Sequence, residues 1–193
     1  MQTRPTPPSL FTSISTLLHC CETWHVRAGE GRVIPNLPTE PETWAAIASM
    51  QSVLLTPLER RFGVVVLTYG FAGPELVKAI EERAAEGGWL PNISPRGDQH
   101  AGHERNRLGN RICKRDGIAV DLRVPGQDSL VVAQWVVDNL PFDRIYVYDS
   151  VRPFHLSWAP EPVAQVVRMV TTASGRLMPR VLPKGAPVVG NPA

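Results

Sequence analysis

Thiols are scarce in this chain: Cys20, Cys21 and Cys113 are the three cysteines, and they form neither a CxxC pair nor an even set. That argues against a disulfide framework and for a reducing compartment. Long hydrophobic runs are missing as well, since no segment reaches the roughly 20 apolar residues needed to cross a bilayer. The N-terminus carries Arg4, then PTPP and a broken polar–apolar mixture. It lacks the uninterrupted apolar stretch of a secretory signal, so a cytoplasmic protein without a membrane partner is expected. Charge of one sign is also in short supply. A formal net charge of +2 is too small to imply a nucleic-acid partner, although positive charge gathers between Arg105 and Arg115.

What is present suffices for one domain with a real core in 193 residues, but not for a second. Residues 1–8 are Pro-rich and are expected to be a disordered tail, residues 9–172 a single catalytic-type domain, and residues 173–193 a Pro/Gly-rich tail. From Ser9 to Trp24, Leu10, Phe11, Ile14, Leu17, Leu18 and Cys21 line one helical face, with Ser9 as the cap. A second helix is expected behind Thr39 as its cap, with Trp44, Ile47, Ala48, Gln51, Leu54, Leu55 and Leu58 recurring at three and four. Pro57 should kink or restart it.

Val64 to Tyr69 reads as a buried strand, and Pro74 to about Glu86 as a helix that Gly87-Gly88 stops. Gly117 to Val124 alternates Ile118, Val120 and Leu122 against Ala119, Asp121 and Arg123, so Asp121 faces away from the larger apolar side chains. A helix from Asp128 to Leu140 is followed by strands Asp143–Tyr148 and Phe154–Trp158, which should form a hairpin. Beyond Pro160 comes a short amphipathic piece, Val163 to Val170. Trp44, Trp135, Phe142, Tyr146 and Phe154 fall on apolar faces, where core packing is expected. The fold class is α+β, a small, mainly antiparallel sheet flanked by helices.

Between Pro91 and Asp116 no period of either kind is sustained, and so long a structureless connection inside a compact domain points to function. This segment holds His100 and His103, and Asp121 and His155 follow on strands. Zinc takes three ligands of the histidine and carboxylate kind and leaves a position for water, whose pKa it lowers. HxxH here lacks the glutamate of the helical zinc-protease form. Cys113 has two readings: a soft ligand or nucleophile whose pKa is lowered by Arg111, Lys114 and Arg115, or a small buried hydrophobe. His103 and Cys113 are thus alternative ligands. The run Arg105, Arg107, Arg111, Lys114 and Arg115 could grip a phosphate or carboxylate through its guanidinium forks, or be a solvated loop. Arg152 could join it, and Ser157, beside His155, could line a pocket.

The order of strand and TYGFAGPEL, the QH loop, GIAVD, a helix, LPFDRIYVY and RPFHLS resembles the zinc D-Ala-D-Ala carboxypeptidase and peptidoglycan endopeptidase family, over roughly Asn36 to Pro160. The resemblance implies a zinc carboxypeptidase-like fold and zinc as cofactor. It implies Asp121 as the aspartate ligand, because GIAVD matches Gly-x-Ala-x-Asp, and His155 of FHLS as the final histidine ligand. Strict spacing from Asp121 puts Lys114, which cannot bind zinc, where the first histidine should stand. The alternative is that Ala101 to Asp116 is an insertion and His100 of DQH is the first ligand. The family's substrate arginine is Ala72 here. In register with its catalytic glutamate stands Tyr148, with Asp149 beside it. A tyrosine, with an ordinary pKa near 10, is a weak base, so Asp149 or Glu104 could take the proton role.

The expected function is therefore metal-dependent hydrolysis of an amide-type bond. His100, Asp121 and His155 would hold zinc, Asp149, Glu104 or Tyr148 would serve catalysis, and Arg115, Arg152 and Ser157 would bind a small peptide or anionic small molecule. Two alternatives stand beside it: an intracellular enzyme of the same fold with changed chemistry on a small anionic metabolite, and an inactive binding module that uses the Arg-rich loop.

Overall fold

The computed structural model describes residues 34–86, 96–97 and 99–189. The expected tail 1–8, the helix from Ser9 to Trp24 with Cys20 and Cys21, and the pair Gly87-Gly88 lie outside them. Helical backbone runs from α1 (Pro41–Met50) through a π-helical turn (Gln51–Leu55) into α2 (Thr56–Phe62). Pro57 lacks the N–H that an unbroken α-helix would direct back one turn, and the chain absorbs this by widening just before it. Gly63, at φ +84°, ends α2.

The N-terminus of α1 is held differently from the expectation. Its N-cap is Glu40, not Thr39, and no side chain of the helix caps it. The cap comes from far along the chain: the backbone N–H groups of Thr39 and Glu40 donate to the Glu104 carboxylate at 3.1 Å, and the Thr39 hydroxyl donates to it as well. Orphan N–H groups and the helix dipole both favour an anion there, which explains how Glu104 stays fully buried. Trp44, expected in the core, is 40 % exposed and donates from its indole to the Pro38 carbonyl.

The remaining elements are β1 (Val66–Tyr69), α3 (Pro74–Ala85), β2 (Ile118–Arg123), α4 (Ser129–Asn139), β3 (Arg144–Val147), β4 (Phe154–Trp158), β5 (Gln165–Thr171) and β6 (Leu177–Val181). The Asp128 carboxylate caps α4 by accepting from Leu130 N–H. The strands form one sheet in the order β1-β2-β4-β3-β5-β6. β3 and β4 pair antiparallel, as the expected hairpin does. The sheet as a whole is mixed, however, not the small, mainly antiparallel one expected, because β5 runs parallel to β3. β5 and β6 form an antiparallel hairpin. The amphipathic piece after Pro160 is thus strand, and part of the expected C-terminal tail belongs to the sheet.

Strand alternation divides the sheet into two chemically different faces. Ile118, Val120, Leu122, Ile145, Val147, Phe154 and Leu156 pack with Met50, Leu54, Leu58, Val132 and Val136 into the main core under α1, α2 and α4. The opposite face carries Asp121, Tyr146, His155 and Ser157. β1 adds Tyr69 to this second face through a bulge: Leu67 pairs with Leu122, but Tyr69, two residues on, pairs with the adjacent Asp121. The extra residue turns Tyr69 out of the alternation, into a smaller cluster with Ala72, Leu76, Ile80, Ala101 and Ile112.

Candidate metal centre

The registers place Tyr69, Asp121, His155 and Tyr146 side by side in one row across β1, β2, β4 and β3. Asp121 and His155 are direct partners on adjacent strands, with His155 Nδ1 3.1 Å from Asp121 Oδ1. His100 joins them from the loop, its Nε2 3.5 Å from the same oxygen. Among the described residues, one ligand atom from each of His100, Asp121 and His155 lies within 4.8 Å of the others. For ligand bonds of about 2.0–2.1 Å, adjacent donors of a tetrahedral site stand about 3.3 Å apart, so the 3.1 and 3.5 Å separations suit a single bound ion.

The loop reaches the row by an unusual backbone path. Gln99 is non-glycine at φ +69°, and its fully buried side-chain amide donates to the Asp116 carbonyl at 2.6 Å and to the Asp143 carboxylate at 3.0 Å. Asp143 is itself buried and accepts from Val163 N–H and the Arg144 guanidinium. These bonds hold the strained residue next to His100, while Ala72 N–H donates to the His100 carbonyl at 3.0 Å. The His100 Nδ1 lies 2.9 Å from the Gly70 carbonyl. A carbonyl only accepts, so Nδ1 carries a proton, and Nε2 is the nitrogen turned toward Asp121.

Both imidazoles are buried, His100 completely and His155 to 4 % exposure. Their rings meet edge to face at 5.1 Å, and His100 also meets Tyr69 at 4.5 Å. Burial alone would raise the Asp121 carboxyl's pKa, but the charge and hydrogen bond of His100, joined by His155, outweigh it and hold the carboxyl well below the usual carboxylate range. The buried His155 Nε2 has no hydrogen-bond partner among the described residues. Two imidazoles and a carboxylate, one tautomer already set by a backbone carbonyl, are a donor set that fits a divalent ion of the zinc type.

Other residues singled out from the sequence have different surroundings. Both oxygens of Glu104 are occupied at the start of α1. Asp149 accepts from Val151 N–H, Arg152 N–H and the Arg152 guanidinium in an exposed turn. Arg152 also lies 4.9 Å above the Tyr148 ring. Ser157 is fully buried and its hydroxyl accepts from Arg144 N–H at 3.0 Å, so it serves the sheet interior. Cys113 is a buried free thiol, consistent with a small hydrophobe. His103 stands outside the group, where its Nε2 accepts from Gly117 N–H at 3.2 Å. Burial first, then the Arg111 charge, lowers its pKa against the pull of Asp116, Glu42 and Glu104. Lys114 is exposed, whereas His100 stands beside Asp121.

Arg115 donates from Nη1 to the Tyr146 hydroxyl at 3.0 Å, and the Tyr146 ring lies 4.8 Å from the His155 ring. Tyr69, Gln99, Asp143 and Tyr146 belong to this site without having been expected there from the sequence. The DQH phrase brought attention to His100, but neither the buried amide beside it nor its long-range carboxylate partner leaves a local pattern. Tyr146 could have been found by counting two residues along β3 from Arg144 to the face opposite Ile145. No helix among the described residues is long and apolar enough to cross a membrane. In comparisons with known proteins, no family model, no curated protein and no solved structure matches this chain.

Proposed function

We propose that the protein is a zinc-dependent hydrolase that cleaves an amide-type bond in a small, anionic peptide-like substrate. The observation that supports it is the gathering of His100, Asp121 and His155 donor atoms within 4.8 Å on the sheet face opposite the main core. A bound zinc ion would supply Lewis acidity toward the scissile carbonyl and an activated water.

The chain's own residues prepare that site. Asp121 and His155 sit on neighbouring, hydrogen-bonded strands. The Gly70 carbonyl orients His100, and Gln99 with Asp143 fixes the loop that carries it. Arg115 brings a positive charge to the same face through Tyr146, which favours a substrate bearing a carboxylate. The Arg-rich loop offers less to a polyanion, since Arg111 pairs with Asp116 at 2.6 Å and Arg105 lies 3.7 Å from Glu40.

Elemental analysis of the full chain purified without added metal, followed by turnover of peptides ending in D-Ala-D-Ala, tests this reading. About one zinc per chain, absent in His100→Ala and His155→Ala, with metal-dependent release of D-alanine, is the expected result. A metal-free protein that also takes up no zinc from solution would remove the reading. One bound zinc with no peptide turnover would instead favour the same centre acting on another small anion.

A further inference from the structure

Tyr146 stands at the β3 end of the site row. On β3 it is the register partner of His155, with the two rings 4.8 Å apart and tilted by 37°. Its side chain is half-buried, so it keeps an open side. The hydroxyl oxygen takes a hydrogen bond from Arg115 Nη1 at 3.0 Å. A guanidinium has five donors and no acceptor, so the tyrosine must be the acceptor in this bond, and its own O–H proton points elsewhere.

Arg115 contributes charge as well as geometry. Among the described residues it has no carboxylate within ion-pair distance, unlike Arg111 and Arg144, which pair with Asp116 and Asp143. An uncancelled cation on the phenol oxygen draws electron density from it and strengthens the O–H as a donor. Arg115 also lines a polar hollow of about 360 Å3 with the cations of Lys114 and Arg144 and the carboxylates of Asp116, Asp143 and Glu161. Arg144 and Tyr146 lie on the same side of β3, the side that carries the site row.

We propose that Tyr146 is a catalytic hydrogen-bond donor. Its O–H holds the substrate oxygen on which negative charge develops during cleavage, and Arg115 is the positioning residue that fixes the hydroxyl and directs its proton. Amide hydrolysis moves charge onto the carbonyl oxygen, and a preorganised donor aimed at that oxygen is among the strongest contributions a protein can make. The inference rests on the metal-centre reading of His100, Asp121 and His155.

The test uses the full chain loaded with cobalt(II) as a visible-absorbing stand-in and acetohydroxamate as a small anionic probe with its oxygens at the metal. Tyr146→Phe keeps the ring against His155 and should leave the cobalt spectrum of the probe-free protein unchanged. It should weaken acetohydroxamate binding by about 10- to 100-fold, the worth of a hydrogen bond to a charged oxygen. Arg115→Met should weaken binding in the same direction, and Arg115→Lys, which keeps the cation, should restore most of it. Unaltered affinity in Tyr146→Phe overturns the proposal while leaving the metal centre standing. Failure of the wild-type chain to take up cobalt or zinc overturns the metal-centre reading, and the proposal with it. If Tyr146→Phe does not fold, the Arg115 pair decides: wild-type affinity in Arg115→Met overturns the proposal.

Discussion

Asp121 on β2 and His155 on β4 face one another as register partners, with carboxylate oxygen and imidazole nitrogen 3.1 Å apart. Strand pairing, not loop packing, sets that separation, so the two donors are in place before any ion arrives. Zinc added to chelator-stripped protein at about 100 times its Kd should therefore stabilise the fold by about 2.7 kcal/mol. His155→Ala should abolish this rise in thermal denaturation. His103→Ala should retain it, because His103 faces Gly117 and not the group. The opposite pattern would show that the donors have been wrongly grouped.

Glu104 links stability to a residue 64 positions from its partner Glu40. Replacing it by Gln removes the negative charge from the start of α1 but keeps an acceptor. Glu104→Ala removes both and leaves the Thr39 and Glu40 N–H groups without this acceptor. The expected losses are about 1 kcal/mol for Glu104→Gln and about 2–3 kcal/mol for Glu104→Ala in urea denaturation, with zinc content unchanged. Loss of turnover at full stability would instead assign Glu104 to catalysis.

Gly117 opens the GIAVD strand at φ +92°, and a Cβ there would stand 1.8 Å from the Trp158 carbonyl oxygen. That atom belongs to the backbone of the central strand β4 and cannot step aside. Gly117→Ala should cost more than about 3 kcal/mol, read as a fall in melting temperature or as loss of soluble protein. Gly109→Ala, at φ +76° but with nothing within 4 Å, should cost far less. Equal effects would mean that backbone strain, not the collision, governs both sites.

His103 gives the fold a pH dependence of definite sign. Its neutral Nε2 accepts from Gly117 N–H, and burial with the Arg111 charge holds its pKa below the ordinary value of 6.5. A histidine with a lowered pKa contributes stability that is fully present above its unfolded value and is lost as pH falls through the folded one. Urea midpoints measured from pH 8 to pH 5 should fall below about pH 6.5, and the fall should be smaller in His103→Gln. A variant as acid-sensitive as the wild type would place the titrating group elsewhere.

Much of the architecture could be read along the chain because it is written in short periods. The alternation of Ile118, Val120 and Leu122 against Asp121 foretold both the strand and the face of the carboxylate, and Phe154–Trp158 has the expected bounds. Pro57 marked the restart of the helix. The hairpin of β5 and β6 was missed because strand β6 is exposed throughout, so no apolar alternation announces it. Thr39 was taken for a cap because the residue that supplies the acceptor, Glu104, is remote in sequence.

The sequence by itself determined which donors were available: a strand aspartate, a strand histidine and a histidine in an aperiodic loop, with an arginine run beside them. Residue type and local period are enough for that. Only the tertiary structure shows that His100, and not Lys114, stands beside Asp121, because that placement depends on the 17 residues from 101 to 117, closed by long-range bonds from Gln99 to Asp143 and to the Asp116 carbonyl. It also decided that Glu104 caps a helix and that Tyr146 stands in line with His155. Strand register and buried hydrogen bonds bring together residues distant in sequence, and no local pattern records either.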